Sequence, residues 1–276
     1  MESNHLYQDI AARTGGDIYI GVVGPVRTGK STLIRRMMEQ LVLDDMPQGP
    51  RKDRLSDELP QSGSGKTIMT TQPKFVPSEA VTVSVDEQTS VRVRMVDSVG
   101  YLVDGALGTE EEGASRMVHT PWFDYDIPFN EAAEIGTRKV IQDHATIGLV
   151  VTTDGTITDI PRENYQDAEE RVVKELKQLG KPFILILNSR EPTSESAEKL
   201  RNRLSERYSV PTLSMDVKNM TLSDIHQVFE EILYQFPLRE IRLTVPGWLH
   251  ALDENHWLVK HVMENLQAAG STLKCM

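Results

Sequence analysis

The segment Gly24-Pro25-Val26-Arg27-Thr28-Gly29-Lys30-Ser31 constrains this chain more tightly than any other stretch. It fits GxxxxGK[ST] at every fixed position and stands in the right setting. An apolar run, Asp17–Val23 (DIYIGVV), leads into it. The segment Ser31–Leu43 leaves it with Leu33, Ile34, Met37, Met38 and Leu41 at helical spacing. A strand, a glycine turn and a helix in that order make a cradle for phosphate. The glycines let the backbone wrap closely, successive N–H groups point at anionic oxygens, and the helix adds the positive end of its dipole. In such a loop Lys30 bridges the β- and γ-phosphates and the Ser31 hydroxyl ligates Mg²⁺. The expected nucleotide-contacting set is Gly24, Pro25, Val26, Arg27, Thr28, Gly29, Lys30, Ser31 and Thr32. Arg27 is placed either to neutralise transition-state charge or to serve as a plain solvent- or partner-facing cation. Gly65-Lys66-Thr67 imitates the end of the motif, but Pro60 holds the first glycine position and no apolar strand precedes it.

The rest of the chain supplies the fold that such a loop needs. Apolar strands alternate with helical stretches, the rhythm of an α/β P-loop NTPase, with a mostly parallel sheet and helices on both faces. Alternating runs at Val81–Val85 and Val91–Val96, separated by a polar turn, predict a hairpin. Strands are expected at Ile147–Thr152, Phe183–Leu187, Thr212–Met215 and, at an edge, Leu238–Leu243. Helices are expected over Asn130–His144, Tyr165–Leu179, Glu195–Tyr208 and Leu222–Tyr234. The polar, Gly/Pro/Ser-rich stretch Asp44–Pro77 reads as a long loop, and Gly100–Phe129 as a second irregular region. The expected organisation is an N-terminal extension over 1–16, a nucleotide-binding domain over 17–244, and the truncated start of a following unit over 245–276.

Composition excludes several functions. Cys275 is the single cysteine, so no internal disulfide framework exists, which fits a reducing cytosol. No stretch approaches the roughly 20 apolar residues of a membrane span, and the first residues lack the basic-then-apolar layout of a secretory signal. A formal charge of −11 opposes broad binding to nucleic acid. His119, His144, His226, His250 and His256 show no metal-ligand spacing.

Further candidates fall at strand ends. Asp97-Ser98-Val99-Gly100 follows the second hairpin strand and fits DxxG, with Asp97 as a Mg²⁺ ligand and the Gly100 N–H as a γ-phosphate contact. Thr70 and Thr71 lie between the two motifs, where a threonine can complete the Mg²⁺ shell, and spacing does not choose between them. Asp154-Gly155 reads as a turn. After the Phe183–Leu187 strand the chain reads Asn188-Ser189-Arg190-Glu191 where guanine-specific proteins carry NKxD. Asn188 and Arg190 are candidate base-side contacts. Ser189 replaces the lysine, and Glu191 is a methylene longer than the expected aspartate, so guanine selectivity is weakened and ATP favoured, with GTP left open. Tyr101 occupies the position after DxxG that often holds a water-orienting Gln or His. A phenol with a reference pKa of about 10 is a poor base, so slow turnover is expected unless another subunit completes the site.

The stretches TGGDIYIGVVGPVRTGKST, DELPQSGSGKTIMTTQPKFVP, TPWFDYDIPFNEAAEIGTRKVIQDHATIGLVVTTDGTI and ENHWL resemble the stage IV sporulation protein A family. The family comprises spore-coat morphogenetic ATPases related to translation-factor GTPases. The resemblance implies a Mg²⁺-dependent ATPase with Lys30 as Walker A lysine, Asp97 as Walker B aspartate, and Thr70 and Thr71 as sensor threonines. It further implies hydrolysis-driven self-assembly into a homopolymer, the basement layer of the spore coat, with coat proteins and a small amphipathic membrane-anchoring peptide as partners. The implied location is the mother-cell cytoplasm at the outer forespore surface. A GTPase-type switch and a nucleotide-stabilised, non-enzymatic scaffold are the competing readings.

Overall fold

The structure is a computed structural model, which describes residues 17–44, 46–60, 68, 72–84, 90–111, 113–235, 247, 252–253 and 256–272. Two compact units divide the chain after Ile232. In the first, β1 (Asp17–Val23) feeds the glycine loop and α1 (Lys30–Met38) leaves it. The predicted helix does continue to Leu43, but Glu39–Leu43 widens into a π turn, with the Asp44 N–H donating to the Glu39 carbonyl.

The expected loop over Asp44–Pro77 contains regular structure. Helix α2 (Pro50–Glu58) opens with a proline in its first turn, where the missing N–H costs nothing. Leu55 is its one buried residue, so periodicity carried almost no signal. Strand β2 (Lys74–Ser84) begins before Pro77 and runs antiparallel to β3 (Ser90–Asp97), with a register break between Val76 and Val81. That irregularity hid its first half. The second irregular region holds short ribbons: β4 (Glu110–Glu111) with β5 (Ala114–Ser115), and β6 (Met117–Val118) with β7 (Ile127–Pro128).

Helix α3 (Phe129–Lys139) again ends in a π turn, Val140–His144. Then follow β8 (Ile147–Thr153), a 3₁₀ turn (Arg162–Tyr165), α4 (Gln166–Gln178), β9 (Phe183–Asn188), α5 (Glu195–Tyr208), β10 (Thr212–Met215) and α6 (Leu222–Tyr234). These match the expected elements to within a few residues. Within the second unit, α7 (Trp257–Thr272) is helical, with Trp257 and Met263 exposed. The expected strand Leu238–Leu243 lies outside the described residues.

Six strands form one sheet in the order β10-β9-β8-β1-β3-β2, parallel throughout except for β2. Every residue of β8 and β9 is buried. Both faces of the sheet centre are therefore covered, which is why these strands are continuous apolar runs. Register sets the functional edge. Val22 pairs with Asp97, Val23 with Val150, and Thr153 with Asn188, so β1 and β3 end side by side while β8 and β9 end together beyond them on the same edge. The chain leaves β1 for β3 on one side and reaches β8 on the other, making β1 the topological switch point where open α/β sheets take ligands.

Candidate functional site

The glycine loop leaves the switch point under tight steric constraint. Gly24 has φ +138°, and a Cβ there would lie 2.3 Å from the Val151 carbonyl oxygen. Only glycine fits. The Thr28 hydroxyl donates to the Pro25 carbonyl (3.0 Å), closing the loop on itself. From the far side Asn188 braces it, donating through Nδ2 to the Thr28 carbonyl (3.0 Å) and accepting the Val217 N–H at Oδ1 (3.2 Å). Gly29 presses against the same amide, since a Cβ on it would sit 2.4 Å from Asn188 Nδ2.

Lys30 folds back under the loop. Its Nζ donates to the Pro25 carbonyl (2.6 Å) and lies 3.4 Å from that of Gly24, with only 4% of the residue exposed. Burial lowers its pKa to about 8, against the attraction of Asp97, and the nearby Arg27 charge lowers it further. Arg27 holds φ +62° in the loop, and burial lowers its pKa too, opposed by Tyr165.

Ser31 Oγ donates to Asp97 Oδ2 at 2.7 Å across 66 residues of sequence. Asp97 is 1% exposed, and its Oδ1 has no hydrogen-bond partner among the described residues. Burial pushes its pKa up to about 6, against the Ser31 hydrogen bond, the Lys30 and Lys74 charges and the neighbouring Ser98 N–H. A buried carboxylate oxygen without a donor, beside a hydroxyl, fits a hard divalent cation with oxygen ligands. Among the described residues no group of three or more His, Cys, Asp or Glu side chains could hold a metal ion alone. A single buried carboxylate beside a hydroxyl suits Mg²⁺, which is commonly held by one or two carboxylates together with substrate phosphates.

The loop after β3 closes over the glycine loop. Ser98 Oγ donates to the Val22 carbonyl (2.8 Å). The Val26 N–H donates to the Tyr101 carbonyl (2.8 Å), and the Tyr101 N–H to that of Gly24 (3.3 Å). Gly100, at φ +100°, comes so near Lys30 that a Cβ would lie 2.4 Å from Nζ. Its N–H, expected at the γ-phosphate, donates here to Thr137 Oγ1 (2.9 Å) on α3. The Tyr101 side chain turns inward: it is 2% exposed, its hydroxyl donates to Glu175 (2.6 Å), and the Arg171 guanidinium lies 4.1 Å from its ring centroid. Burial and then Glu175 raise the phenol pKa, so it is an anchor and no base.

On the base side, Asn188 and Ser189 are buried and Arg190 and Glu191 exposed. The Arg190 N–H donates to Thr156 Oγ1 (3.0 Å), and Asp154 Oδ1 accepts from the Thr156 N–H (2.9 Å), the turn expected at Asp154-Gly155. The structure thus brings Gly24–Thr32, Asp97, Gly100 and Asn188 to one sheet edge, with Arg190 beside them. Thr70 and Thr71 lie outside the described residues, as does Gly65-Lys66-Thr67. Thr137, Glu175 and Arg171 had no sequence motif. Thr137 carried one faint signal, a polar side chain on the apolar stripe with Ala133, Val140 and Ile141.

No helix among the described residues is long and apolar enough to cross a membrane. The family described as "Stage IV sporulation protein A, ATPase domain" matches residues 1–237. The chain is 54% identical to stage IV sporulation protein A of Clostridioides difficile over 265 residues, covering 96% of this chain and 54% of that protein. It is 53% identical to the Bacillus subtilis protein of the same name over 274 residues, 99% of this chain and 56% of that protein. It thus spans about half the length of these relatives. A GTPase Der from Mycobacterium avium is 32% identical over 114 residues, covering 40% of this chain and 24% of that protein. Sheet order, glycine loop and distant likeness agree on a P-loop NTPase fold, and the match across residues 1–237 makes this chain a member of the stage IV sporulation protein A ATPase-domain family.

Proposed function

We propose that this chain binds ATP with Mg²⁺ at the edge formed by Gly24–Thr32, Asp97 and Gly100, hydrolyses it, and uses the hydrolysis to drive self-assembly in spore formation. The observation that carries the reading is the meeting of Ser31 and Asp97 at 2.7 Å beside buried Lys30. In this reading Ser31 and Asp97 would hold Mg²⁺, with Thr70 or Thr71 completing its shell. The metal supplies charge neutralisation across the phosphates. The remaining work belongs to the protein. Loop N–H groups position the triphosphate, Lys30 neutralises its terminal oxygens, and Asn188 keeps the loop from sagging away from the sheet edge. Tyr101, the residue directly after DxxG, is buried with its hydroxyl bonded to Glu175, and so is not presented to an attacking water. This supports slow turnover that depends on assembly.

The family match supports ATP as the nucleotide and spore formation as the setting. Assembly into a coat basement layer at the forespore surface, and recruitment of coat proteins and a small amphipathic peptide, extend the same reading. The likeness to GTPase Der and the carboxylate of Glu191 favour GTP as a second reading. Phosphate release from ATP and from GTP at equal concentration, with Lys30→Ala as control and sedimentation before and after turnover, tests the proposal. ATP turnover accompanied by faster sedimentation is expected. Preferential GTP turnover would replace ATP in the account, and release no greater than that of Lys30→Ala would leave a scaffold.

A further inference from the structure

The Gly100 amide has two claimants, a hydroxyl on α3 and the place where a terminal phosphate would sit. Its N–H donates to Thr137 Oγ1 at 2.9 Å, and Thr137 is fully buried on α3. Beside the same glycine stands the Lys30 ammonium, close enough that no side chain fits between them. Gly100 thus touches both a buried hydroxyl and the ammonium group that a terminal phosphate would meet. Glycine takes φ of either sign, so the Val99–Gly100 peptide can turn its N–H from the one toward the other at little cost. The neighbours on either side are fixed: Ser98 bonds the Val22 carbonyl, and Tyr101 is held by Gly24, Val26 and Glu175.

Helix α3, which owns the competing hydroxyl, is itself wired to the rest of the domain. A Cβ on Gly136, next to Thr137, would lie 3.0 Å from Pro73 and 3.2 Å from Trp122, so the helix backbone rests on both irregular regions. Glu134 on the same helix accepts a two-pronged hydrogen bond from Arg171 (2.9 Å each), and Arg171 covers Tyr101.

Resting on the nucleotide reading above, we propose that Thr137 is a positioning residue that holds the Gly100 N–H in the resting state and surrenders it to the terminal phosphate of a nucleoside triphosphate. Occupancy of the site is thereby transmitted to α3. Triphosphate binding then works against the Thr137 hydrogen bond, and a diphosphate, lacking the terminal group, leaves it in place. Loss of the terminal phosphate returns the N–H to α3.

The test compares equilibrium binding of Mg²⁺-ADP and of a Mg²⁺-bound non-hydrolysable ATP analogue to wild type, Thr137→Val and Thr137→Ser. Removing the hydroxyl leaves the Gly100 N–H unpartnered only in the resting and diphosphate states. The preference for triphosphate over diphosphate should therefore rise about 2–10-fold in Thr137→Val, while Thr137→Ser keeps the wild-type ratio. An unchanged ratio, or one shifted toward ADP, overturns the proposal. Thr137→Ala gives the same reading should the valine variant fail to fold. Amide exchange at Gly100 in nucleotide-free protein separates this proposal from the nucleotide reading. Protection that falls in Thr137→Val supports the resting contact, and protection equal in the two proteins overturns it. Wild type that binds neither nucleotide overturns both readings together.

Discussion

Replacing Asp97 with asparagine should stabilise the nucleotide-free protein while disabling the site. Asp97 is 1% exposed, one of its oxygens has no hydrogen-bond partner among the described residues, and burial moves its pKa from 3.8 to about 6. A raised pKa means that the folded state holds the proton more tightly than the unfolded state. The protein therefore loses stability as pH rises from about 4 through about 6, and above that range the ionised carboxylate costs about 3 kcal/mol. The substituted side chain carries no charge and can still accept the Ser31 hydrogen bond, but its amide N–H₂ replaces an oxygen that is buried without a hydrogen-bond partner among the described residues. That offsets about 1 kcal/mol or more of the gain. Urea denaturation in chelator at pH 7 should thus show Asp97→Asn more stable than wild type by about 1–2 kcal/mol, with the advantage shrinking as pH falls below about 6. Mg²⁺-nucleotide should stabilise wild type strongly and the variant hardly at all. A variant less stable than wild type at every pH would refute the reasoning, because the carboxylate would then be a structural asset and no strained metal ligand.

Asn188→Ala removes the brace of the glycine loop and the contact that orients it, leaving the Thr28 carbonyl and Val217 N–H without this partner. Stability should fall by about 2–4 kcal/mol, measured by denaturant titration, and nucleotide affinity should fall with it. Glu169 is fully buried and accepts from Thr152, Arg162 and Tyr208. Glu169→Gln breaks its ion pair with Arg162 and should cost about 3–5 kcal/mol by the same measurement.

How far sequence alone reached follows from where the physical signal lies. Strands β8 and β9 were legible because burial on both faces forces continuous apolar runs, and helices α5 and α6 because burial on one face spaces their apolar residues at the helical period. Helix α2 was not, because a surface helix with Leu55 alone to bury has no period to read. Strand β2 was half legible, since its register breaks between Val76 and Val81. The π turn after α1 shifts the buried face by about one residue, so Val42 and Leu43 are buried where helical spacing had put Leu41, which is half-buried. At the candidate site, Gly24–Ser31 and Asp97–Gly100 were legible because steric and charge demands confine them to few residue types. Thr137 and Glu175 were not, being joined to Gly100 and Tyr101 across 37 and 74 residues by single hydrogen bonds that many residue pairs can make. Tyr101 was read correctly as a poor base, while its anchoring role depends on Glu175 and Arg171, which only the fold brings near.

The charge arrangement at the switch point also bears on order of binding. Lys30 and Asp97 are both buried, and burial moves each pKa toward its neutral form. An anionic triphosphate beside Lys30 and a cation beside Asp97 each relieve one of these costs. Because the cation and the phosphates also attract one another directly in this buried setting, metal and nucleotide should bind cooperatively, each strengthening the other by the same factor.

Titration calorimetry of a non-hydrolysable ATP analogue tests the central claim most directly, run on wild type with Mg²⁺, on wild type in chelator, and on Lys30→Ala with Mg²⁺. Saturable binding is predicted for the first, and weakening by about 10–150-fold for the Lys30 variant, the range expected when a charge-assisted hydrogen bond to phosphate is lost. Chelation should weaken binding as well. Equal affinity in wild type and Lys30→Ala, or no binding to wild type, would contradict the account.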